Sequence, residues 1–421
     1  MLDCFAALAM TEFRMTLEEA RQLDTSDPLA FARDRFRLPE GVIYLDGNSL
    51  GALPKAAPGA LANTAERQWG EDLIASWNRH GWIDWPMRIA AKLAPIVGAK
   101  PNELLIADST SVSLFKLLAA AARARPRRKT ILSQQANFPT DLYVAQGLAD
   151  MLGLNLKAMP ADEVLNAIDE DTAVVTLTHV DYRSASIYDM RAVNDAAHAA
   201  GALAVWDLSH SAGAIELDLD GSGCDLAVGC GYKYLNGGPG APAFIYVAER
   251  LQGELTNPLQ GWMGHAEPFA FVDDYRPGEG IARFLTGTPS ILAMAALEAG
   301  IDTFDGIAMP DLAHKSRKLS KLFIDEVEGR CGSEVRLASP RDPAQRGSHV
   351  VFAHREGYAV MQALIARGVI GDFRMPDLMR FGFTPLYNCY ADIVRAADIL
   401  ADILKTREWD QPRFKARAKV T

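Results

Sequence analysis

Cysteine is scarce in this sequence, and the few cysteines are far apart. Five occur among 421 residues, at positions 4, 224, 230, 331 and 389. The sequence has neither a C-x-x-C pair nor a group of cysteines and histidines with the spacing of zinc ligands. We therefore predict no disulfide framework and no metal site, and we expect a reducing, cytoplasmic setting.

Long apolar runs and an excess of positive charge are also missing. No stretch approaches the ~18 consecutive apolar residues of a membrane-spanning helix. The apolar start MLDCFAALAM lacks the cationic flank of a signal peptide. The net charge of −10 repels nucleic acid and anionic lipid. We therefore expect neither a nucleic-acid partner nor a membrane partner.

The chain does contain a regular alternation of strand-like apolar runs and helical patterns. The apolar runs lie at 103–108, 130–134, 171–180, 202–207, 225–229 and 241–248. This alternation predicts an α/β fold with a parallel or mixed sheet that is covered on both faces. After about residue 305 come an amphipathic helix at 312–328, two short strands, a helix at 357–367, a strand at 378–383 and a helix at 391–405. This second pattern predicts a smaller α/β domain.

Three hydroxyl side chains follow the first apolar run. They are Ser109, Thr110 and Ser111, and the next residues have a helical pattern. Ligands of open α/β sheets bind outside the carboxyl ends of the strands. Hydroxyls and free N–H groups at a helix start form a phosphate site that the helix dipole supports. A plain helix N-cap is the alternative interpretation.

A carboxylate ends the apolar run ALAVWD. Burying Asp207 there is costly unless a cation meets it. A protonated pyridine nitrogen is such a cation, and the carboxylate would keep that ring able to accept electrons. The alternative is a structural aspartate that caps the following loop.

A lysine lies in the glycine-rich segment GCGYKYLNGGPGAPAF at 229–244. Desolvation at Lys233 would lower its pKa and expose its lone pair. The glycines would allow the backbone to approach a ligand closely. The segment matches neither a P-loop nor a dinucleotide-binding fingerprint. A lone lysine is usually a solvated side chain. Lys233 therefore indicates a cofactor site only in combination with the hydroxyl side chains at 109–111 and with Asp207.

The three features together predict a bound pyridoxal 5′-phosphate. A hydroxyl cradle, a strand-end carboxylate and a lysine 26 residues after Asp207 would meet the phosphate, the ring nitrogen and the aldehyde. We therefore predict an enzyme that carries this cofactor as a Schiff base on Lys233.

Six segments resemble the kynureninase family of fold-type I pyridoxal phosphate enzymes, which are similar to class V aminotransferases. The segments are YLDGNSLGALP (44–54), NFPTDLY (137–143), WDLSHSAGA (206–214), GYKYLNGGPG (231–240), GWMGH (261–265) and MRFGFTPLY (379–387). The resemblance implies a large domain with a mainly parallel seven-stranded sheet and a smaller C-terminal α/β domain. We place the large domain at 61–305 and the small domain at 306–421, and we expect segment 1–60 to pack on the small domain.

The resemblance also implies a set of cofactor contacts. Lys233 resembles the Schiff-base lysine, and Asp207 resembles the partner of the pyridine nitrogen. The other expected cofactor contacts are Thr110, Ser111 and Tyr232 at the phosphate, Phe138 on the ring, Asp141 and His210 at its polar edge, and Ser184, Trp262 and Thr288. Trp262 and Thr288 are expected to reach in from a second subunit, which implies a homodimer with active sites at the subunit interface.

The implied activity is hydrolysis of the Cβ–Cγ bond of L-kynurenine to anthranilate and L-alanine in tryptophan catabolism, with a link to NAD biosynthesis. Lys233, Tyr232, Asp207 and Arg380 form the expected catalytic set, in which Arg380 resembles the residue that holds the substrate α-carboxylate. Ser49 and Trp77 are expected at the aryl end of the substrate. The bulk of Trp77 and the small hydroxyl of Thr288 favour kynurenine over 3-hydroxykynurenine.

Several alternatives stay open at this stage. The chain could be another fold-type I enzyme, a cysteine desulfurase or an aminotransferase, although Cys230 is an unsuitable nucleophile in a packed strand turn. It could also be a non-catalytic sensor that binds the cofactor. Single residues have structural alternatives, namely core packing for Trp77 and Trp262, an ion pair for Arg380, and bracing of the small domain for Arg346 and His349. Asp181 departs from the family pattern and receives no role.

Overall fold

The computed structural model describes residues 14–417. Cys4, the run MLDCFAALAM and the first part of the predicted segment 1–60 lie outside the described residues. The α-helices are Leu17–Thr25 (α1), Ala57–Ala62 (α2), Ser76–Arg79 (α3), Trp85–Val97 (α4), Thr110–Arg123 (α5), Pro139–Leu152 (α6), Met190–Ala200 (α7), Glu249–Gln252 (α8), Ile291–Ile301 (α9), Met309–Cys331 (α10), Gly357–Ala366 (α11), Tyr390–Thr406 (α12) and Pro412–Lys415 (α13).

The strands form one large sheet, one smaller sheet and two short pairs. Their bounds are Phe36–Arg37 (β1), Ile43–Tyr44 (β2), Leu53–Pro54 (β3), Leu104–Ala107 (β4), Thr130–Gln134 (β5), Asn155–Met159 (β6), Thr172–Thr178 (β7), Leu203–Asp207 (β8), Leu226–Gly229 (β9), Ala243–Val247 (β10), Arg336–Leu337 (β11), His349–Ala353 (β12), Val369–Ile370 (β13), Asp372–Arg374 (β14) and Leu378–Gly382 (β15).

The large sheet has seven strands in the order β4-β10-β9-β8-β7-β5-β6. Only β10 runs antiparallel to its neighbours, so the predicted mainly parallel seven-stranded sheet is confirmed. Strands β4, β7, β8, β9 and β10 are buried along their whole length, which is why they read as continuous apolar runs. The edge strand β6 has the mixed sequence NLKAM and is partly exposed, so the search for apolar runs missed it.

Helices cover the large sheet and bury its two faces. Helix α5 contacts β7, β8, β9 and β10, while α4 contacts β4. The side chains of these helices and strands form one apolar core, which includes Leu117, Leu132, Val205 and Phe244. Because the sheet is rigid and its parallel strands end at one edge, the loops at that edge are held in fixed positions.

A second apolar core lies in the C-terminal part of the chain. It is built on the antiparallel sheet β11-β12-β15-β14 and on helices α10, α11 and α12. The N-terminal segment contacts both cores, since Ile43 and Leu45 lie in the second and Phe36 and Ala52 lie in the first. The boundaries proposed at residues 60 and 305 stay predictions.

Helix length and polarity bear on the expected absence of a membrane partner. Within residues 14–417, no helix is both long enough and apolar enough to cross a membrane.

Candidate active site

A cavity of about 220 Å³ lies at the carboxyl edge of the large sheet. Its walls come from the segments that follow β4, β5, β7, β8 and β9, as the rule for open α/β sheets predicts. The lining residues are Thr110, Ser111, Phe138, Thr140, Asp141, Thr178, Tyr182, Asp207, Ser209, His210, Tyr232 and Lys233. The structure therefore brings together eight of the residues that were predicted to contact the cofactor.

The first turn of helix α5 forms one wall of this cavity. Ser109 is the N-cap, and its hydroxyl accepts a hydrogen bond from the Val112 amide at 3.4 Å. The capping interpretation is thus correct for Ser109, while Thr110 and Ser111 line the cavity. The first N–H groups of a helix have no partner inside it, so this wall offers donors and a positive helix end to an anion.

Two buried carboxyl groups lie side by side at the sheet edge. Asp207 Oδ1 accepts a hydrogen bond from the Ser209 amide at 2.7 Å, and Asp141 Oδ2 accepts one from the Thr178 hydroxyl at 3.2 Å. Burial and the charge of Asp207 raise the pKa of Asp141 well above its ordinary value. Such a pair is stabilised by a cation, and a protonated pyridine nitrogen fits this requirement.

The amino group of Lys233 points into the same cavity. Its Nζ lies 3.1 Å from His210 Nε2 and 5.8 Å from the ring centroids of Phe138 and Tyr232. His210 Nε2 is also 3.1 Å from the Asn48 carbonyl oxygen. Burial and the charge of Lys233 lower the pKa of His210 well below its ordinary value. The imidazole is therefore neutral at physiological pH.

Tyr232 and Phe138 form the aromatic walls next to this lysine. Burial raises the pKa of Tyr232, so that its hydroxyl keeps its proton at neutral pH. The Phe138 ring packs edge-on against Tyr182, with 5.3 Å between the ring centroids. The expected contact of Phe138 with the cofactor ring stays a prediction.

Loop 46–51 packs directly on the loop that carries Lys233. The Gly51 amide donates to the Tyr232 carbonyl oxygen at 2.8 Å, and a side chain on Gly51 would collide with the Lys233 carbonyl oxygen. A side chain on Gly47 would likewise collide with the Thr384 hydroxyl. These close approaches leave no room for a side chain at Gly47 or Gly51, so loop 46–51 packs tightly against the loops that carry Lys233 and Thr384.

Arg380 belongs to a buried ion pair beside this loop. It lies on β15 directly opposite Asp372 on β14, so both side chains are on the same face of the sheet. Its Nε lies 2.8 Å from Asp372 Oδ1, and its Nη2 contacts Asp372 Oδ2. Nη1 donates to the Tyr182 carbonyl oxygen at 2.8 Å, and Nη2 donates to the Ser49 hydroxyl at 3.0 Å. The ion-pair interpretation of Arg380 is thus correct, and the substrate role stays a prediction.

The remaining predicted site residues lie outside this cavity. Ser49 and Thr288 line a neighbouring cavity of about 660 Å³, which shares Thr110 and Tyr232 with the first. Trp77 and Trp262 pack against each other with 6.3 Å between ring centroids. Their expected contacts with a second subunit or with substrate stay predictions.

Ser184 lies in a tight turn away from the cavity lining. Its hydroxyl donates to Asp181 Oδ1 at 2.7 Å and lies 2.9 Å from the Ser186 hydroxyl. The same Asp181 oxygen accepts from the Ser184 amide at 2.6 Å. Asp181 thus stabilises this turn, and the structure does not bring Ser184 to the expected cofactor contact.

Arg346 and His349 differ in their surroundings. Arg346 donates to the Arg341 carbonyl oxygen at 2.9 Å and to the Ser320 hydroxyl at 3.1 Å, so it braces the small domain as its alternative interpretation stated. His349 is fully buried, and its ring centroid lies 5.4 Å from that of His210. It therefore belongs to the surroundings of the cavity.

Sequence reasoning missed several polar residues of the site. Ser209 lies two residues after the predicted run 202–207, so the rule that found Asp207 could also have found it, whereas Thr178 lies inside the predicted run 171–180 and is recognised as a strand end only in the structure. Asp372 had no such signal, because β14 is short and was not predicted. Its partner Arg380 can be recognised only once the hairpin register is known.

Two other kinds of site would need metal ligands or a reactive cysteine. Among residues 14–417, no group of three or more histidine, cysteine, aspartate or glutamate side chains could hold a metal. Cys230 is buried, and this burial raises the pKa of its thiol. A raised pKa disfavours the thiolate, so Cys230 lacks the properties of a nucleophile.

Comparison with known proteins identifies relatives along nearly the whole chain. Residues 312–400 match the family described as the kynureninase C-terminal domain. Kynureninase of Pseudomonas fluorescens is 50% identical over 414 residues, which cover 96% of this chain and 100% of that protein. Kynureninase of Burkholderia mallei strain SAVP1 is 51% identical over 415 residues, with 96% and 100% covered.

Solved structures with the same fold are more distant in sequence. The apo cysteine desulfurase of Thermococcus onnurineus NA1 has a TM-score of 0.76 at 21% identity, and the match covers 90% of this chain and 98% of that one. A C-DES variant with glycine covalently linked to its PLP cofactor has a TM-score of 0.77 at 18% identity, covering 88% and 99%. At these identities the likeness shows the fold.

The fold and the cavity together define a fold-type I pyridoxal phosphate enzyme. Its lysine, carboxylate pair and helix start lie at one edge of a mainly parallel seven-stranded sheet. Within that class, the relatives at about half identity over the full length decide the family. The chain belongs to the kynureninase family.

Proposed function

We propose that this protein hydrolyses the Cβ–Cγ bond of L-kynurenine and releases anthranilate and L-alanine. One observation carries the proposal. A chain that is half identical to kynureninases places Lys233, Asp207 and the start of helix α5 around a single cavity. These three features are the ones that pyridoxal 5′-phosphate requires.

Each part of the cofactor has a partner in the cavity. The phosphate would be held by the start of α5 with Thr110 and Ser111, and the ring would lie against Phe138. Asp207, supported by Asp141, would keep the ring nitrogen protonated. When it is bound, the cofactor supplies an electron sink for the bond that breaks.

Lys233 is the base in this proposal, and His210 assists it. The Lys233 amine would take the proton from the substrate α-carbon. His210 Nε2 lies 3.1 Å from Lys233 Nζ and 3.1 Å from the Asn48 carbonyl oxygen, and a neutral imidazole that donates its Nε2 proton to this carbonyl is held beside the amine. His210 would therefore help to position Lys233 for proton transfer.

Tyr232 is the proposed proton donor to the γ-carbonyl oxygen as water adds there. Its raised pKa keeps the hydroxyl protonated at neutral pH, and its ring lies next to Lys233. A Tyr232→Phe variant removes only the hydroxyl and is expected to lower the kcat for anthranilate formation by about 100-fold. Full turnover by this variant would remove Tyr232 from the mechanism.

Substrate recognition is assigned to Arg380 and to the neighbouring cavity. Arg380 would bind the α-carboxylate, since a guanidinium matches a carboxylate in shape and charge. Trp77, Thr288 and the wall near Ser49 would meet the aryl group. The bulk of Trp77 supports a preference for kynurenine over 3-hydroxykynurenine.

The assembly, the location and the pathway are part of the same proposal. A homodimer is supported by the exposed apolar side chains of Phe269 (61% exposed), Phe271 (77%) and Val272 (56%), which follow Trp262 in the chain. We propose that the enzyme acts in the cytoplasm, in tryptophan catabolism with a link to NAD biosynthesis.

The test is to mix the cofactor-loaded protein with L-kynurenine and to follow anthranilate by its fluorescence. The matched control is Lys233→Ala loaded with the same cofactor. Rapid product formation by the wild type that is lost in the variant supports the proposal. A wild-type protein that shows the visible cofactor band but forms no product would contradict the substrate assignment and favour a sensor.

A further inference from the structure

The Arg380 guanidinium is held by an unusually complete set of partners. Both of its cross-strand contacts go to Asp372, and both side chains are almost fully buried, at 2% and 4% exposure. A guanidinium has five N–H donors. The Asp372 carboxylate accepts one hydrogen bond from Nε and one from Nη2. The Ser49 hydroxyl accepts the second hydrogen bond from Nη2, and the Tyr182 carbonyl oxygen accepts one from Nη1. One donor of Nη1 is left.

Ser49 links this ion pair to the cavities. Its hydroxyl donates to Asp372 Oδ2 at 2.7 Å while it accepts from Arg380 Nη2, and it lines the larger cavity. A carboxylate oxygen can replace the Ser49 hydroxyl as the acceptor at Nη2, or it can bind the remaining donor of Nη1. The Nη2 position is now occupied by Ser49, which lines the larger cavity.

A second cation, Arg374, lies beside the Arg380–Asp372 ion pair. Arg374 Nη2 lies 2.8 Å from Asp372 Oδ2, so two cations share this carboxylate. Although burial raises the pKa of Asp372, the charge of Arg380 holds it below its ordinary value, and the residue stays charged. A buried ion pair stabilises a fold little compared with apolar side chains of the same volume. Stability alone therefore does not account for this arrangement.

We propose that Asp372 is a positioning residue that fixes the Arg380 guanidinium with its free edge toward the α-carboxylate of the amino-acid substrate. This inference rests on the proposed function, in which Arg380 binds that carboxylate. Asp372 would not touch the substrate. It would accept hydrogen bonds from Nε and Nη2 on one side, so that the guanidinium keeps a fixed orientation.

The test compares Asp372→Asn with Asp377→Asn, a matched control in the turn of the same hairpin. The Asn variant at position 372 keeps the shape but loses the charge. We expect its KM for L-kynurenine to rise about tenfold with kcat within about twofold, because charge-assisted hydrogen bonds to the guanidinium weaken. Inhibition by decarboxylated kynurenine, which has no carboxylate, should not change. Asp377→Asn should match the wild type in all three readouts.

Two further measurements separate positioning from a general structural role. In an Arg380→Lys background, Asp372→Asn should change KM by less than about twofold, because the two residues act as a unit. Asp372→Glu keeps the charge but displaces it, and it should also raise KM. An unchanged KM in both Asp372 variants would overturn the inference, and so would equal weakening of the decarboxylated inhibitor.

The inference and the proposed function fail in different ways. L-alanine carries the same carboxylate, and its binding can be followed by the change it causes in the visible cofactor band without turnover. If the wild type forms no anthranilate, the proposed function is wrong, while weaker L-alanine binding to Asp372→Asn still supports the inference. If the wild type turns over and Asp372→Asn binds L-alanine normally, only the inference is wrong.

Discussion

The cofactor end of the site and its substrate end draw on different parts of the fold. The proposed cofactor end consists of Thr110, Asp207 and Lys233, each of which ends or follows a strand of the large sheet. The proposed substrate end consists of Arg380 and Asp372 on a hairpin of the small domain and Ser49 on an N-terminal loop. One end is built on a single rigid sheet, and the other combines an ion pair within one hairpin with hydrogen bonds to the remote residue Ser49.

This difference separates two kinds of effect. Changes at the cofactor end should alter the chemical step or cofactor affinity, because in the proposed function those groups would meet the reacting ring. Changes at the substrate end should alter KM, because Arg380 would meet a carboxylate that does not react. Variants at each end therefore test whether the two ends have separate roles.

The largest effect is expected from Asp207→Asn at the cofactor end. The amide has nearly the same shape but cannot hold a proton on the ring nitrogen, so kcat should fall by at least about 100-fold with KM little changed. Steady-state anthranilate formation measures both constants. Asp218→Asn, at an exposed aspartate between β8 and β9, serves as the control. A kcat close to that of the wild type in Asp207→Asn would be incompatible with the assigned role.

Arg380→Lys at the substrate end should have the second largest effect. Lysine keeps the charge but not the planar fork, so KM for L-kynurenine should rise about 10- to 100-fold while kcat changes little. The same fluorescence assay over a wide range of substrate concentrations checks this. A loss confined to kcat would assign Arg380 to the cofactor end and would contradict its proposed role in substrate binding.

Thr110→Val should have a smaller effect, confined to cofactor affinity. The substitution removes one hydroxyl at the start of helix α5 but leaves the backbone N–H groups, so the Kd for pyridoxal 5′-phosphate should rise about tenfold. Titration of the visible band measures it, with Val112→Ala in the same turn as the control. Equal affinity for wild type and Thr110→Val would argue against a phosphate contact.

The smallest effect concerns stability near the substrate end. Burial and the charge of Asp372 raise the pKa of Asp46 to about 7. Between about pH 4, the ordinary aspartate value, and about pH 7, the folded protein keeps a proton that the unfolded chain releases. The free energy of unfolding should therefore fall as pH rises through this window.

Asp46→Asn has no such proton and should lose this part of the pH dependence. Urea unfolding of both proteins at the two ends of the window measures the difference. The variant should gain stability relative to the wild type as pH rises. Parallel pH profiles for the two proteins would show that Asp46 does not titrate there.

The sequence predicts the cofactor end better than the substrate end for a physical reason. Strands β7 and β8 are buried on both faces, so they read as apolar runs, and the polar residue that ends β8 stands out as Asp207. The start of α5 and the glycine-flanked Lys233 can be recognised for the same reason, because each follows an apolar run. Local patterns are enough wherever one sheet positions the site.

The substrate end depends on contacts that no local pattern shows. Asp372 meets Arg380 because of the register of a short hairpin, and Ser49 joins them from more than 300 residues away in the chain. The hydroxyl of Ser184, whose cofactor contact stays a prediction, donates to Asp181, and no local pattern indicates this hydrogen bond. Long-range pairing and the direction of a turn must be observed in the structure.

The most direct test of this account is a comparison of kcat and KM for L-kynurenine in the wild type, Asp207→Asn and Arg380→Lys, all loaded with cofactor. The account predicts anthranilate from the wild type, a loss in kcat for Asp207→Asn and a rise in KM for Arg380→Lys. The absence of anthranilate from the loaded wild type, or the same kinetic change in both variants, would contradict it.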